Sequence, residues 1–387
     1  MLRLRAARVF TGTSMLEPGE VVIDGDRIVS VAEPVEAPVS AESPPSERRE
    51  PAFPTSTARD VVDLGDVTLA PGLVDVHNHG GGGVAFSEDP LLAAATHRAA
   101  GTTTVVASLV TQSLEELDRQ VRALAPLVDS GELAGIHLEG PWLAEAYKGA
   151  HPADKLRDPV ASEVAGLLDA GAGAVRMVTI AVEKPGALES VRLMASRGVV
   201  AALGHSDCTF DQAREAIEAG VTGATHLFNA MPGLHHREPG PVLALLEDDR
   251  VWCELIVDGV HLRPELAAWV MSVSDRVVLV TDAMAAAGCS DGDYVLGDLP
   301  VEVRSGVARI AGKDTIAGST LVLSRGVQVA IEAGVAPEVA LRAATFNAAQ
   351  YLDLPRVGEL APGASADVVV FGSDWGVEKV LHRGEWL

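Results

Sequence analysis

The stretch Pro71-Gly72-Leu73-Val74-Asp75-Val76-His77-Asn78-His79-Gly80 decides the fold. Its apolar, β-branched run between glycines reads as a buried strand, and the strand ends in two histidines two positions apart. Side chains alternate along a strand, so His77 and His79 aim their rings to the same side. Seven similar runs follow, at roughly 102–110, 134–139, 175–182, 199–205, 222–228, 252–258 and 276–282. Amphipathic stretches of helical period lie between them, for example Ser113 to Val128 and Asp211 to Ala219. Strands alternating with helices make a parallel sheet, and eight strands close a barrel. The fold class expected is α/β: a (β/α)8 TIM barrel with a small β-sandwich domain formed by both termini.

The same kinds of residue recur where these runs end: His137-Leu138-Glu139 on the third, Leu203-Gly204-His205 on the fifth, Thr225-His226 on the sixth and Val280-Thr281-Asp282 on the eighth. In a parallel barrel these ends share one face, so residues more than 200 positions apart converge there. Imidazole and carboxylate together suit a borderline divalent ion such as zinc, and a catalytic ion keeps one position open for water. A barrel end that was only structural would carry apolar or turn residues instead. His97 and His382 fall in a helical stretch and a terminal β-region, where packing or surface roles suffice. Cys208 reads as a small packing residue.

Outside the barrel, alternating stretches at Ala7 to Phe10 and Val21 to Ile23, with the turn-like Asp24-Gly25-Asp26-Arg27, read as a hairpin. Prolines 34, 38, 44, 45, 51 and 54 then mark a surface loop over 34–60 with almost no large apolar side chain. Strands are expected again at Val61 to Leu64, Ala366 to Phe371 and Val377 to Leu381. The expected domains are therefore 1–70 with 355–387, and the barrel over 71–354. Ser290 to Ile316 reads as a hairpin inserted after the eighth strand, which delays the partnering helix to about 320–333.

Composition narrows the function. Thirty basic against 54 acidic residues give a net charge of −24, so a nucleic acid would be repelled wherever positive charge is not concentrated. Three scattered cysteines without a CxxC pair support neither a disulfide framework nor a thiolate zinc site. With no apolar stretch of membrane-spanning length and no leader pattern, the expectation is a cytoplasmic protein acting on a small molecule.

The opening Pro71 to Gly80 motif and the closing Pro362-Gly363-Ala364-Ser365-Ala366-Asp367-Val368 resemble the amidohydrolase superfamily. Within it, the chain is similar to the N-acetylglucosamine-6-phosphate deacetylase family. The strings that carry this likeness are His137-Leu138-Glu139-Gly140-Pro141-Trp142, Gly204-His205-Ser206-Asp207, Thr225-His226-Leu227-Phe228-Asn229-Ala230-Met231, Arg237-Glu238-Pro239-Gly240, Asp258-Gly259-Val260-His261 and Thr281-Asp282-Ala283-Met284. They occur in the family's order along nearly the whole chain.

The resemblance implies that Glu139, His205 and His226 hold the principal metal, and that Asp282 is the catalytic acid/base acting with metal-bound hydroxide. It implies that His151 lies near the acetamide, that His261 contacts the sugar, and that Asn229 with the backbone of Ala230 helps hold a phosphorylated amino sugar. Arg237 would bind the 6-phosphate from the neighbouring subunit of a homodimer. Some members lack the first-strand histidines and bind one metal, whereas His77 and His79 leave room for a second; one or two divalent ions, zinc foremost, are expected per subunit. No lysine occurs in Val175 to Val182 to bridge two ions, which argues against the hydantoinase and dihydroorotase branches; Glu139 is the candidate bridge. The reaction expected is deacetylation of N-acetyl-D-glucosamine 6-phosphate. Its alternatives are another N-acetylated amino sugar, such as the galactosamine epimer or a non-phosphorylated one, and a catalytically silent sugar-phosphate sensor.

Overall fold

The computed structural model describes residues 1–34 and 60–387, so the expected proline-rich loop lies, apart from its two ends, outside the described residues. Eight parallel strands form one sheet in sequence order: β1 (Leu73–Asn78), β2 (Thr102–Val110), β3 (Gly135–Glu139), β4 (Val175–Ile180), β5 (Val200–Leu203), β6 (Val221–Ala224), β7 (Trp252–Ile256) and β8 (Val277–Val280). The chain just past β8 returns to the end of β1, where the Asp282 N–H donates to the His77 carbonyl at 2.9 Å and the His79 N–H to that of Ala283 at 2.7 Å. The sheet is thereby closed at the end that carries the histidines.

Period-two alternation gives the strands two apolar faces. Met177, Ala202, Ile256, Val278 and Val280 share an inner cluster with Tyr351 and Leu354. Their neighbours Ile136, Leu138, Val178, Leu203 and Leu279 pack with helix residues such as Leu117 and Val121. Each fully buried side chain of this kind contributes about 1.5–3 kcal/mol, so the scaffold is held without the polar mouth. The helices start where local chemistry allows: Ser113 Oγ accepts the Glu116 N–H ahead of Leu114–Asp129, and Thr209 with Gln212 forms a reciprocal cap on Phe210–Ala219.

The expected strands are all present, but β4 to β8 each stop at least two residues short of their expected C-terminal ends. At β5, β6 and β8 the reason is conformational: His205, His226 and Asp282 take φ of 48°, 30° and 48°, and left-handed backbone cannot continue a ladder.

The terminal strands form two sheets. One runs Arg27–Ala32, Gly19–Asp24, Leu2–Ala6, Asp60–Asp63; the other runs Glu385–Trp386, Val377–His382, Val368–Phe371, Thr68–Pro71, Arg8–Phe10, Met15–Leu16. Leu4, Val21 and Ile28 of the first meet Val9, Leu69 and Val368 of the second in one core. The expected N-terminal hairpin is corrected in its pairing. Val21 to Ile23 pair with Leu2 to Leu4 and with Ile28 to Val31, whereas Val9 pairs with Leu16 and Leu69. The Asp24 to Arg27 turn is a real hairpin turn, but it joins Gly19–Asp24 to Arg27–Ala32. Short alternating runs fix which face is buried and not which neighbour is chosen. After β8 the expected inserted hairpin is a three-stranded antiparallel sheet, Gly292–Leu296, Leu299–Arg304 and Val307–Ile310, and the delayed helix is Leu323–Glu332.

Candidate active site

At the mouth of the barrel, β1, β3, β5, β6 and β8 bring His77, His79, Glu139, His205, His226 and Asp282 together, all of them buried. Three of these six sit in left-handed backbone, as does Ala230 at φ 51°. Such conformations cost on the order of 1–3 kcal/mol in non-glycine residues and persist only where surrounding structure enforces them. The chain turns sharply off each strand end and points the side chain inward. Gly140, at φ 85°, follows Glu139, and a Cβ there would lie 2.2 Å from Thr111 Oγ1; only glycine lets the chain leave β3 at that point.

The distances are those of a shared centre. Glu139 Oε1 lies 3.2 Å from both His205 Nε2 and His226 Nε2, and Oε2 lies 3.1 Å from His79 Nε2. Asp282 Oδ1 is 3.2 Å from His79 Nε2 and 3.4 Å from His77 Nε2. The two first-strand Nε2 atoms are 3.2 Å apart, and those of His205 and His226 are 3.0 Å apart.

The tautomers show what such crowding requires. His79 Nδ1 donates to the Ser108 carbonyl at 3.1 Å, His205 Nδ1 to the Tyr147 carbonyl at 2.8 Å, and His77 Nδ1 to the Glu254 carboxylate at 2.9 Å. A carbonyl can only accept, so in the neutral rings each Nε2 is a lone pair aimed at the other lone pairs and at two carboxylates. Acceptors 3.2–3.5 Å apart repel unless protons or a cation lie among them. Zinc bonded to imidazole nitrogens at ~2.0–2.1 Å in a tetrahedral shell sets neighbouring ligand atoms ~3.3 Å apart, so the donor set fits a divalent ion. The same crowding favours protons on the rings. Burial disfavours the cation of His77, but the charges of Glu139 and Asp282 outweigh it and lift the ring well above its ordinary range. His79 rises to about 9 against the same burial penalty, through its contacts with Asp282 and Glu139. Glu139 and Asp282 are both held below the usual carboxylate range, because the surrounding histidines outweigh their burial.

His151 is built the other way round. Its Nδ1 faces Thr111 Oγ1 at 2.9 Å and accepts from the Thr111 backbone N–H at 3.4 Å, which leaves the proton on Nε2, 3.4 Å from Glu139 Oε2. Burial pushes its pKa down to about 4, so near neutral pH it is an uncharged donor. His137, its ring nitrogens bonded to Ser108 Oγ at 2.9 Å and Thr179 Oγ1 at 2.8 Å, is satisfied by hydroxyls and supports the floor of the site.

A cavity of about 310 Å³ opens over this cluster, and His151, Asn229, Ala230 and His261 line it together with His79, Glu139, His205, His226 and Asp282. Asp258 Oδ2 anchors His261 Nδ1 at 2.8 Å, and that carboxylate raises the ring's pKa against its burial. Arg237 is not brought to this cavity by its own chain. It is exposed, with its guanidinium 2.7 Å from His236 Nε2. His97 is wholly buried with Nε2 on the Gly80 carbonyl at 2.9 Å, and His382 pairs with Asp367 at 2.8 Å, so neither joins the site. Burial lifts the Cys208 thiol to about 12, which keeps it protonated and inert.

Sequence reasoning missed Glu254, Ser108, Thr111 and the Tyr147 carbonyl, all of which set ring tautomers. A glutamate inside the apolar run Trp252–Ile256 is the one such signal the sequence carries.

A model of the amidohydrolase family matches residues 68–387, and the chain belongs to that family. Among solved structures, a mutant N-acetyl-D-glucosamine-6-phosphate deacetylase from Mycobacterium smegmatis, in complex with N-acetyl-D-glucosamine-6-phosphate, is 46% identical with a TM-score of 0.90, covering 100% of this chain and 98% of that one. The N-acetylgalactosamine-6-phosphate deacetylase of Escherichia coli O157:H7 is 35% identical over 99% of this chain and 98% of its own length. The N-acetylglucosamine-6-phosphate deacetylase of Vibrio furnissii is 33% identical over 98% and 93%.

Proposed function

We propose that the chain hydrolyses N-acetyl-D-glucosamine 6-phosphate to D-glucosamine 6-phosphate and acetate. The observation that carries the reading is the gathering of His77, His79, His205, His226 and Asp282 around the Glu139 carboxylate, under a cavity lined by His151, Asn229 and His261. It is supported by full-length similarity to deacetylases of phosphorylated amino sugars.

Glu139, His205 and His226 would hold one ion, and His77 and His79, with Glu139 shared, a second; zinc suits this imidazole-rich set. Such an ion supplies an activated water at neutral pH and polarises a carbonyl. Asp282 takes the proton of the attacking water and passes it to the departing amine nitrogen, so the C–N bond breaks without releasing a strong base. His151 donates its Nε2–H to the acetamide oxygen as charge develops there. His261, held by Asp258, and the Asn229 to Ala230 turn position the sugar. Arg237, exposed on its own chain, meets the 6-phosphate of a neighbouring subunit in a homodimer, where its planar fork suits phosphate. A phosphorylated sugar does not cross membranes freely, so the reading places the enzyme in the cytoplasm. It also divides the chain into a β-sandwich domain, 1–70 with 355–387, and a barrel, 71–354, that carries every site residue.

The test is acetate release by the zinc-loaded chain from N-acetylglucosamine 6-phosphate, its galactosamine epimer and free N-acetylglucosamine. The glucosamine phosphate should be used best; no acetate from either phosphorylated sugar overturns the reading. The full-length similarity to the N-acetylgalactosamine-6-phosphate deacetylase makes that epimer the second reading, and a preference for it would select that one.

A further inference from the structure

Glu254 is a carboxylate at 0% exposure in the middle of β7, flanked by Cys253 and Leu255, and no step of the reaction uses it. A carboxylate in an apolar interior is unfavourable unless partners compensate it, so its bonds indicate what it is for. Its Oε2 accepts from His77 Nδ1 at 2.9 Å and faces the backbone N–H of His226 at 3.4 Å. Its other oxygen, Oε1, lies 3.4 Å from the hydroxyl of Tyr351, which closes the floor of the barrel. Its backbone carbonyl accepts the Leu227 N–H at 2.8 Å, which fixes the turn just past His226. One residue thus grips a ring from β1 and the main chain beyond β6, the two sides of the cluster that Glu139 joins from above.

We infer that Glu254 is a positioning residue for the metal centre, acting through His77, whose Nε2 lone pair it holds toward the ion. The inference rests on His77 being an ion ligand. A carboxylate on the far nitrogen of a ligating imidazole fixes the tautomer and raises the basicity of the ring, and loss of such a partner lowers metal affinity roughly 10–100-fold. Glutamine of the same shape removes the charge, and its amide can present a donor to Nδ1, which would move the ring proton to Nε2 and occupy the ligating lone pair.

The experiment uses the full chain, stripped of metal with a chelator and titrated with Zn²⁺ in competition with a chromophoric chelator. Glu254→Gln, His77→Asn and the double variant are compared. Glu254→Gln should weaken Zn²⁺ binding roughly 10–100-fold, and the double variant should bind no more weakly than His77→Asn alone, because the carboxylate acts through that ring. A purely structural glutamate would give losses that add. Zn²⁺ binding by Glu254→Gln equal to that of the unaltered chain, or additive losses in the double variant, overturns the inference while leaving His77 a ligand. Unchanged binding in His77→Asn overturns the ligand assignment and the inference with it. If Glu254→Gln does not fold, Glu254→Asp serves in its place: it keeps the charge but is one methylene too short, and weakened Zn²⁺ binding supports the inference while unchanged binding overturns it.

Discussion

Two histidine–carboxylate arrangements in this molecule use the same chemistry to opposite ends. Between the terminal strands, His382 Nδ1 donates to Asp367 Oδ1 at 2.8 Å and the Arg383 N–H donates to the same oxygen at 2.8 Å, so one ring faces one carboxylate and donors and acceptor are matched. At the barrel mouth, five imidazoles face the carboxylates of Glu139 and Asp282, with the His77 and His79 Nε2 lone pairs opposed at 3.2 Å. The first arrangement is complete as it stands. The second is stable only with something positive among its acceptors. Pairing makes a structural element and convergence makes a binding site, although the residue types are identical.

The sharpest break of that contrast is Glu139→Ala. Glu139 touches His77, His79, His151, His205 and His226, so its loss should remove bound metal and acetate release together. Metal analysis beside an activity assay checks this, and full occupancy with a normal rate would show that the histidines do not need it. Next comes His77→Ala, which should lower the bound metal by one ion per chain in equilibrium titration; an unchanged stoichiometry would reduce the centre to a single ion.

Arg237→Ala acts at a distance from the cluster. It should depress kcat/KM for the phosphorylated sugar by about ten- to a hundredfold, the loss of a charged hydrogen bond of roughly 1.5–3 kcal/mol, and leave free N-acetylglucosamine almost untouched. Equal losses on both sugars would remove the phosphate role. The smallest effect belongs to the closed pair. Asp367→Asn should leave kcat unchanged and cost about 1.5–3 kcal/mol of stability. The Asp367 carboxylate is held below its ordinary value of 3.8 because His382 outweighs its burial, so its contribution is present above that value and is lost as pH falls through the lower folded one. Urea denaturation at pH 7 and in strong acid separates the two conditions, and a variant deficit that persists below both pKa values would contradict the assignment.

Much of this was legible in the residues. The eight barrel strands were visible because each is a short apolar run between glycine or polar breaks, and the mouth because strand-end histidines have no packing reason to recur. Pairing partners in the terminal sheets were not, since runs such as Val21 to Ile23 specify a face but no neighbour. Nor were the tautomers. His151 and His205 look alike as letters, yet the backbone N–H of Thr111 on one and the carbonyl of Tyr147 on the other make them a donor and an acceptor at the same centre. Such roles are set by main-chain groups brought near by the fold.

The central claim is that Asp282 moves protons at a metal centre that the other acceptors hold in place. The direct measurement is the rate of acetate release by metal-loaded Asp282→Asn with its zinc content determined on the same sample. Zinc content equal to that of the unaltered chain with turnover lower by about 10²–10⁴-fold is the expected result; near-normal turnover at equal zinc content would contradict the account.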